Sequence, residues 1–178
     1  MKKSVFVPIL TILCGALLLF GLNFGLKGVA EANAKDEMLT MMQTLLPDSK
    51  DFTEEAYTGE DTNIRAVFKA ENGYVIETAT AGYAGEITML IGVSNDGTVT
   101  GLVVRDMSET LGLGANALND HEFLAQFLNT SGEAAVGTNV DAISGATVTS
   151  KAIARSVNSA VGFVTGADAV TEATKWGE

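Results

Sequence analysis

Thiol and imidazole chemistry are nearly absent from this sequence, in which Cys14 and His121 are the single cysteine and the single histidine. With no second thiol, neither a disulfide framework nor a cysteine-ligated iron–sulfur or zinc centre can be assembled within the chain. One imidazole does not make a histidine-based metal site, so any redox chemistry here requires an organic cofactor. Basic residues are also scarce where they would matter. All 22 acidic residues lie beyond residue 26, against nine of the 11 basic ones, which leaves that part of the chain at a formal charge of −13. Nucleic-acid binding needs a basic footprint to displace phosphate counterions, so this composition argues against it. Adsorption to anionic headgroups is disfavoured for the same reason. Proline occurs twice, at Pro8 and Pro47, and no repeat or low-complexity tract is present.

What is present begins with an uncharged apolar run from Val5 to Leu26, preceded by Met1-Lys2-Lys3. Its length matches a bilayer-spanning helix, and Pro8 sits near its start, where a missing amide hydrogen is tolerated. A cleaved signal peptide is the alternative, because Ala30-Glu31-Ala32 and Ala32-Asn33-Ala34 resemble a cleavage site; the length of the run favours retention. Cys14 follows Thr11-Ile12-Leu13 and precedes further apolar sequence, which fits a buried helix cysteine better than a lipidated one. Lys2 and Lys3 place the N-terminus in the cytoplasm by the positive-inside bias. The expected organisation is a cytoplasmic stub and transmembrane helix over residues 1–29, then an extracytoplasmic domain over 30–178.

In the outer domain, Met38, Met42 and Leu45 predict a short amphipathic helix over 37–46, ended by Pro47. Met38, Met41 and Met42 read as a packing face rather than a soft-metal site. Four strands are predicted at Arg65–Ala70, Tyr74–Thr80, Glu86–Val93 and Val99–Arg105. Glu71-Asn72-Gly73 and Asn95-Asp96-Gly97 supply turn signals, and Ile87, Met89, Ile91 and Val93 share one face. An antiparallel sheet with one buried face follows. The period then becomes helical, first around Phe123, Leu124, Phe127 and Leu128, and again over Val148–Thr165 through Ile153, Val157, Val161 and Val164. The predicted fold class is α+β: one N-terminal transmembrane helix, then an antiparallel sheet with helices packed on one face.

The segment richest in chemistry is Asp141-Ala142-Ile143-Ser144-Gly145-Ala146-Thr147, followed by Val148-Thr149-Ser150. It sets small and hydroxyl-bearing residues directly before a helix. A helix N-terminus offers backbone amides and a positive dipole end, which favour a phosphate. Gly145 and Ala146 let a bulky group approach the backbone, and Lys151 and Arg155 add positive charge. Taken alone, the pattern indicates an anion near Ser144–Ser150 and is equally that of a helix capped by Ser144, Thr147 or Ser150, which is the simpler reading. Other patterns carry less. Gly112-x-Gly114-x-x-Ala117 lacks the strand–helix context of a dinucleotide fingerprint. Ser144 has no nucleophile-elbow glycines around it, which argues against a hydrolase. Asn129-Thr130-Ser131 is a glycosylation sequon of the kind that arises by chance.

Asp141-x-x-Ser144-Gly145-Ala146-Thr147 resembles the flavinylation motif of the FMN-binding domains in the G subunit of the Rnf complex and the C subunit of the sodium-pumping NADH:quinone reductase. Gly82-Tyr83-Ala84-Gly85-Glu86-Ile87 is similar to the glycine-rich entry to a central strand of that domain. Asn95-Asp96-Gly97-x-Val99-x-Gly101 resembles its hairpin, and Ser108-Glu109-Thr110-Leu111-Gly112-Leu113-Gly114 resembles its Glu-Thr-Pro-Gly-Leu-Gly loop beside the flavin, with Leu111 in place of the proline. The chain's length suits the Rnf-type protein better than its longer relative.

The resemblance implies covalent FMN, moved from FAD by a flavin transferase and held as a phosphoester on Thr147, with Asp141 as the acidic position that the transferase recognises. It implies flavin contacts from Ser144, Gly145, Ala146, Val148, Thr149, Glu109, Thr110, Leu111 and Gly112. It further implies an electron-transfer subunit of an ion-translocating ferredoxin:NAD oxidoreductase in the bacterial cell membrane, partnered by the other membrane subunits, with no substrate turnover of its own. Two readings stand beside it. One is a free-standing anchored flavin shuttle to an extracytoplasmic acceptor; the other is a non-redox anchored binding module, in which Ser144–Ser150 merely caps a helix.

Overall fold

The computed structural model describes residues 6–107, 120–131 and 133–167, without the side chains of 6–11, 14, 16, 18, 19 and 22–31. The chain divides into two compact units, one through Thr40 and the other from Met41 onward. The first is formed by a single helix, α1, which runs over Phe6–Leu45. The separate helix expected over 37–46 is thus the end of a longer one. The residues between, Lys27 to Asp36, are rich in alanine and contain no proline, so nothing in them breaks the helical repeat. Helix α1 stops at Leu45 because Pro47 disfavours helical geometry in the residue before it. Among the described residues no helix is long and apolar enough to cross a membrane. Much of the span expected over Val5–Leu26 rests on side chains outside those residues.

The second unit is built on a five-stranded antiparallel sheet in the order β1-β2-β3-β4-β5: Thr53–Glu55, Ile64–Lys69, Gly73–Ala81, Glu86–Ser94 and Val99–Met107. The four predicted strands are present, each within a residue or two of its expected bounds. Strand β1 adds a fifth; its three residues are all exposed and so leave no alternation to read. Strands β3 and β4 pair in unbroken register from Gly73↔Ser94 to Ala81↔Glu86, with Ile76 opposite Ile91.

Two helices follow the sheet, α2 over His121–Ala125 and α3 over Thr147–Thr165. Asp120 caps α2 by accepting from the Phe123 amide at 3.0 Å. Phe123 and Phe127 do lie on one side, edge to face at 5.3 Å, but the helix ends before Phe127 and continues as a turn. Helix α3 lies across β3 and β4. Its Ala152, Ile153, Val157 and Ala160, all fully buried, close on Ile76, Ile87, Met89 and Ile91, with Phe123 and Phe127 completing the cluster. Each fully buried Ile, Met or Phe here contributes about 1.5–3 kcal/mol.

The opposite face of the sheet is not left to solvent, contrary to the expectation of a single buried face. Leu90 and Val75 are buried there, and so are Met42 and Leu45 from the end of α1 and Leu46 just after it. Gly92 and Gly101 pair across β4 and β5. A Cβ on Gly92 would come within 2.4 Å of the Leu45 carbonyl oxygen, so only glycine admits the backbone at this point. The Thr100 hydroxyl donates to that same carbonyl at 2.5 Å.

Candidate functional site

Helix α3 and β3 run antiparallel. Phe163 meets Tyr74 near the start of β3 at 5.5 Å, and the Thr80 hydroxyl donates to the Ala152 carbonyl at 3.1 Å near its end. Thr80 also shares a 2.9 Å hydrogen bond with Ser156, and Arg155 donates to the Ala81 carbonyl at 3.1 Å. These bonds fix the N-terminal half of α3 over the end of β3. Arg155, expected to add charge beside the motif, is thereby engaged with the strand end.

Thr147 is the first residue of α3 and is exposed, while Thr149 and Ser150 behind it are fully buried. The residue at the helix cap is Ala146, and no side chain caps the helix. A plainly capped helix, with Ser144, Thr147 or Ser150 as the cap, is therefore not what forms. The first helical bond runs from the Ser150 amide to the Ala146 carbonyl at 2.9 Å, so the amides of Thr147, Val148 and Thr149 lie ahead of it. Such amides, with the positive end of the helix dipole, suit a phosphate.

The loop before the helix is held from behind. Ser150 accepts from the Ile143 amide at 3.1 Å and donates to the Ala146 carbonyl at 3.0 Å, so it staples the loop to the helix rather than capping it. Between these points the Ala146 amide closes a turn on the Ile143 carbonyl at 2.9 Å. Gly145 takes φ +79° within that turn, a conformation costly for any residue with a side chain. Further back, Gln126 grips Asp141 at both backbone atoms: its Oε1 accepts from the Asp141 amide at 2.8 Å and its Nε2 donates to the carbonyl at 3.4 Å. Asn158 does the same for Ala134, at 2.8 and 2.9 Å. The side chains of Asp141, Ser144 and Thr147 are left exposed on a braced loop, with Ala146 buried just before Thr147 and Val148 half-buried just after it.

The structure therefore brings together Asp141, Ser144, Gly145, Ala146, Thr147, Val148 and Thr149 on one loop–helix junction. Glu109, Thr110, Leu111 and Gly112 lie outside the described residues; the chain enters that segment from Met107, which pairs with Ile87 at the same end of the sheet. Sequence reasoning did not find Gln126, Ser150 as a staple, or Asn158. Each acts across seven or more residues, so no local spacing announces it.

Residues 82–162 match the FMN-binding domain family, a stretch that starts at the β3–β4 turn and takes in the whole junction. The chain is 37% identical over 139 residues to the G subunit of the ion-translocating oxidoreductase complex of Methanosarcina acetivorans, across 69% of this chain and 72% of that protein. It is 38% identical over 98 residues to the G subunit of the Na(+)-translocating ferredoxin:NAD(+) oxidoreductase complex of Acetobacterium woodii, across 50% of this chain and 47% of the relative. It is 38% identical over 99 residues to the G subunit of the proton-translocating ferredoxin:NAD(+) oxidoreductase complex of Clostridium ljungdahlii, across 52% and 53%. Against these last two, the chain spans about half the length of the relative.

Proposed function

Because the chain belongs to the G-subunit family of ion-translocating oxidoreductase complexes, we propose that it is the electron-carrying subunit of an Rnf-type ferredoxin:NAD oxidoreductase, with FMN held as a phosphoester on Thr147. The observation that carries this reading is an exposed threonine at the first position of a helix that no side chain caps. Its hydroxyl is open to a flavin transferase, and the phosphate, once attached, lies where amides and the helix dipole favour negative charge. Asp141 presents its carboxylate six residues upstream on a backbone fixed by Gln126, a rigid feature for the transferase to recognise. FMN supplies reversible one- and two-electron chemistry, while the protein's part is to position the ring.

Covalent attachment suits a carrier facing away from the cytoplasm, where a dissociated flavin is lost. The uncharged run Val5–Leu26 anchors the chain in the membrane with Lys2 and Lys3 on the cytoplasmic side, and the partners are the other membrane subunits. The two relatives with different ions in their names are equally similar to this chain, so the likeness does not select a coupling ion.

The test is Thr147→Ala in the full chain, produced together with a flavin transferase. Wild type keeps flavin fluorescence after denaturing electrophoresis and the variant has none. A variant that keeps it refutes attachment at Thr147. Co-purification of integral membrane partners with the wild type separates a component of a complex from a free shuttle.

A further inference from the structure

Within the unit that starts at Met41, Tyr83 is the large exposed ring among the described residues, at 72%. Phe123 and Phe127 lie in the core, and Tyr57, Tyr74 and Phe163 pack against one another at the far end of α3. Tyr83 sits in the four-residue connection between Ala81 and Glu86, which pair directly. The Gly82 amide closes that connection on the Gly85 carbonyl at 2.8 Å.

Its position follows from the ties between β3 and α3. Tyr74 meets Phe163 at 5.5 Å, Thr80 meets the Ala152 carbonyl, and Arg155 holds the Ala81 carbonyl. Strand and helix run antiparallel, so leaving Thr80 toward Tyr83 and leaving Ala152 toward Thr147 are steps in the same direction. Tyr83 lies two residues past Ala81, where β3 ends and the turn begins, and Thr147 lies five residues ahead of Ala152, about 7.5 Å along the helix. Tyr83 therefore lies on the turn just beyond the strand end that the N-terminal half of α3 holds, at the end of the sheet where Met107 pairs with Ile87.

Building on flavin attachment at Thr147, we propose that Tyr83 is a positioning residue for the cofactor: its phenol ring is the aromatic surface against which the isoalloxazine of a Thr147-linked flavin packs. A flat aromatic ring on a tight turn offers such a ligand an offset-stacked or edge contact at little cost in side-chain freedom. Tyr83 then limits where a flavin tethered by a flexible ribityl chain rests.

The experiment uses full-length protein flavinylated in the cell, with occupancy of Thr147 established by intact mass, and compares wild type, Tyr83→Phe and Tyr83→Leu. A phenol in contact with an excited flavin gives it an electron and takes it back, with no net change, and so quenches its emission. Flavin fluorescence and its lifetime rise several-fold in both variants, since phenylalanine is too hard to oxidise. Access of a soluble quencher such as iodide rises in Tyr83→Leu but stays near wild type in Tyr83→Phe, which keeps the packing surface. Equal lifetimes in wild type and Tyr83→Leu, at full occupancy, would overturn the role of Tyr83 while leaving attachment at Thr147 intact. A wild type without FMN on Thr147 would overturn both.

Discussion

The two ends of α3 are built in opposite ways. At the C-terminal end Phe163 sets its ring against Tyr57 at 5.9 Å and Tyr74 at 5.5 Å, and the β4–β5 turn packs so closely that a Cβ on Gly97 would touch Thr165. At the N-terminal end the helix begins on an exposed threonine, behind a left-handed glycine and an alanine cap that makes no side-chain bond. One end packs large, half-buried rings together and is closed. The other gives up both apolar burial and the stabilisation of about 1 kcal/mol that a serine, threonine or aspartate cap supplies. A helix optimised only for stability would be capped; under the proposed function, the open end is where the fold yields to chemistry.

Changes at each end sharpen this contrast. Thr147→Ala is expected to abolish covalent flavin yet leave urea unfolding within about 0.5 kcal/mol of wild type, because nothing in the core depends on it. Phe163→Ala does the reverse. It lowers unfolding free energy by about 2–3 kcal/mol, on the low side for a phenylalanine truncation because the ring is partly exposed, while flavin incorporation into the folded fraction is unchanged. Ser150→Ala affects both properties. Two loop–helix bonds are lost from a fully buried site, costing about 1–3 kcal/mol, and flavinylation falls because the loop that carries Asp141 to Thr147 is no longer stapled. Joint measurement of melting and flavin content separates the three variants.

The smallest effect lies in the β4–β5 turn at the closed end. Asp96 accepts hydrogen bonds from the Ser94 hydroxyl and the Thr98 amide, which hold its carboxyl below the usual range. A depressed folded value means that the contribution is present above the unfolded carboxylate's pKa and is lost as pH falls through the folded one. The Tm difference between wild type and Asp96→Asn is therefore largest near neutrality and shrinks on acidification.

The sheet was legible where alternation was strong: Ile87, Met89, Ile91 and Val93 announce β4 and its buried face. Three exposed residues could not announce β1, and the burial of Leu90 and Gly92 could not be read without knowing that Leu45 lies over them. At the site, local spacing gave a helix start with room for an anion but not its cap. The distinction between Ser150 as cap and Ser150 as staple depends on the course of the backbone at Ile143, which residue types do not specify. Gln126 was read as part of a helical stretch, and its grip on Asp141 spans 15 residues. Flavin entered through the likeness of Asp141–Thr147 and its companion motifs to a known family; the geometry then supplied an exposed hydroxyl at an uncapped helix start.

The most direct test of the central claim is peptide mapping by mass spectrometry of the full chain, exported from cells that contain an active flavin transferase. The peptide carrying Ile143–Lys151 is expected to gain the mass of one FMN phosphoester, localised to Thr147. An unmodified Thr147 beside a control protein flavinylated in the same cells would contradict the assignment.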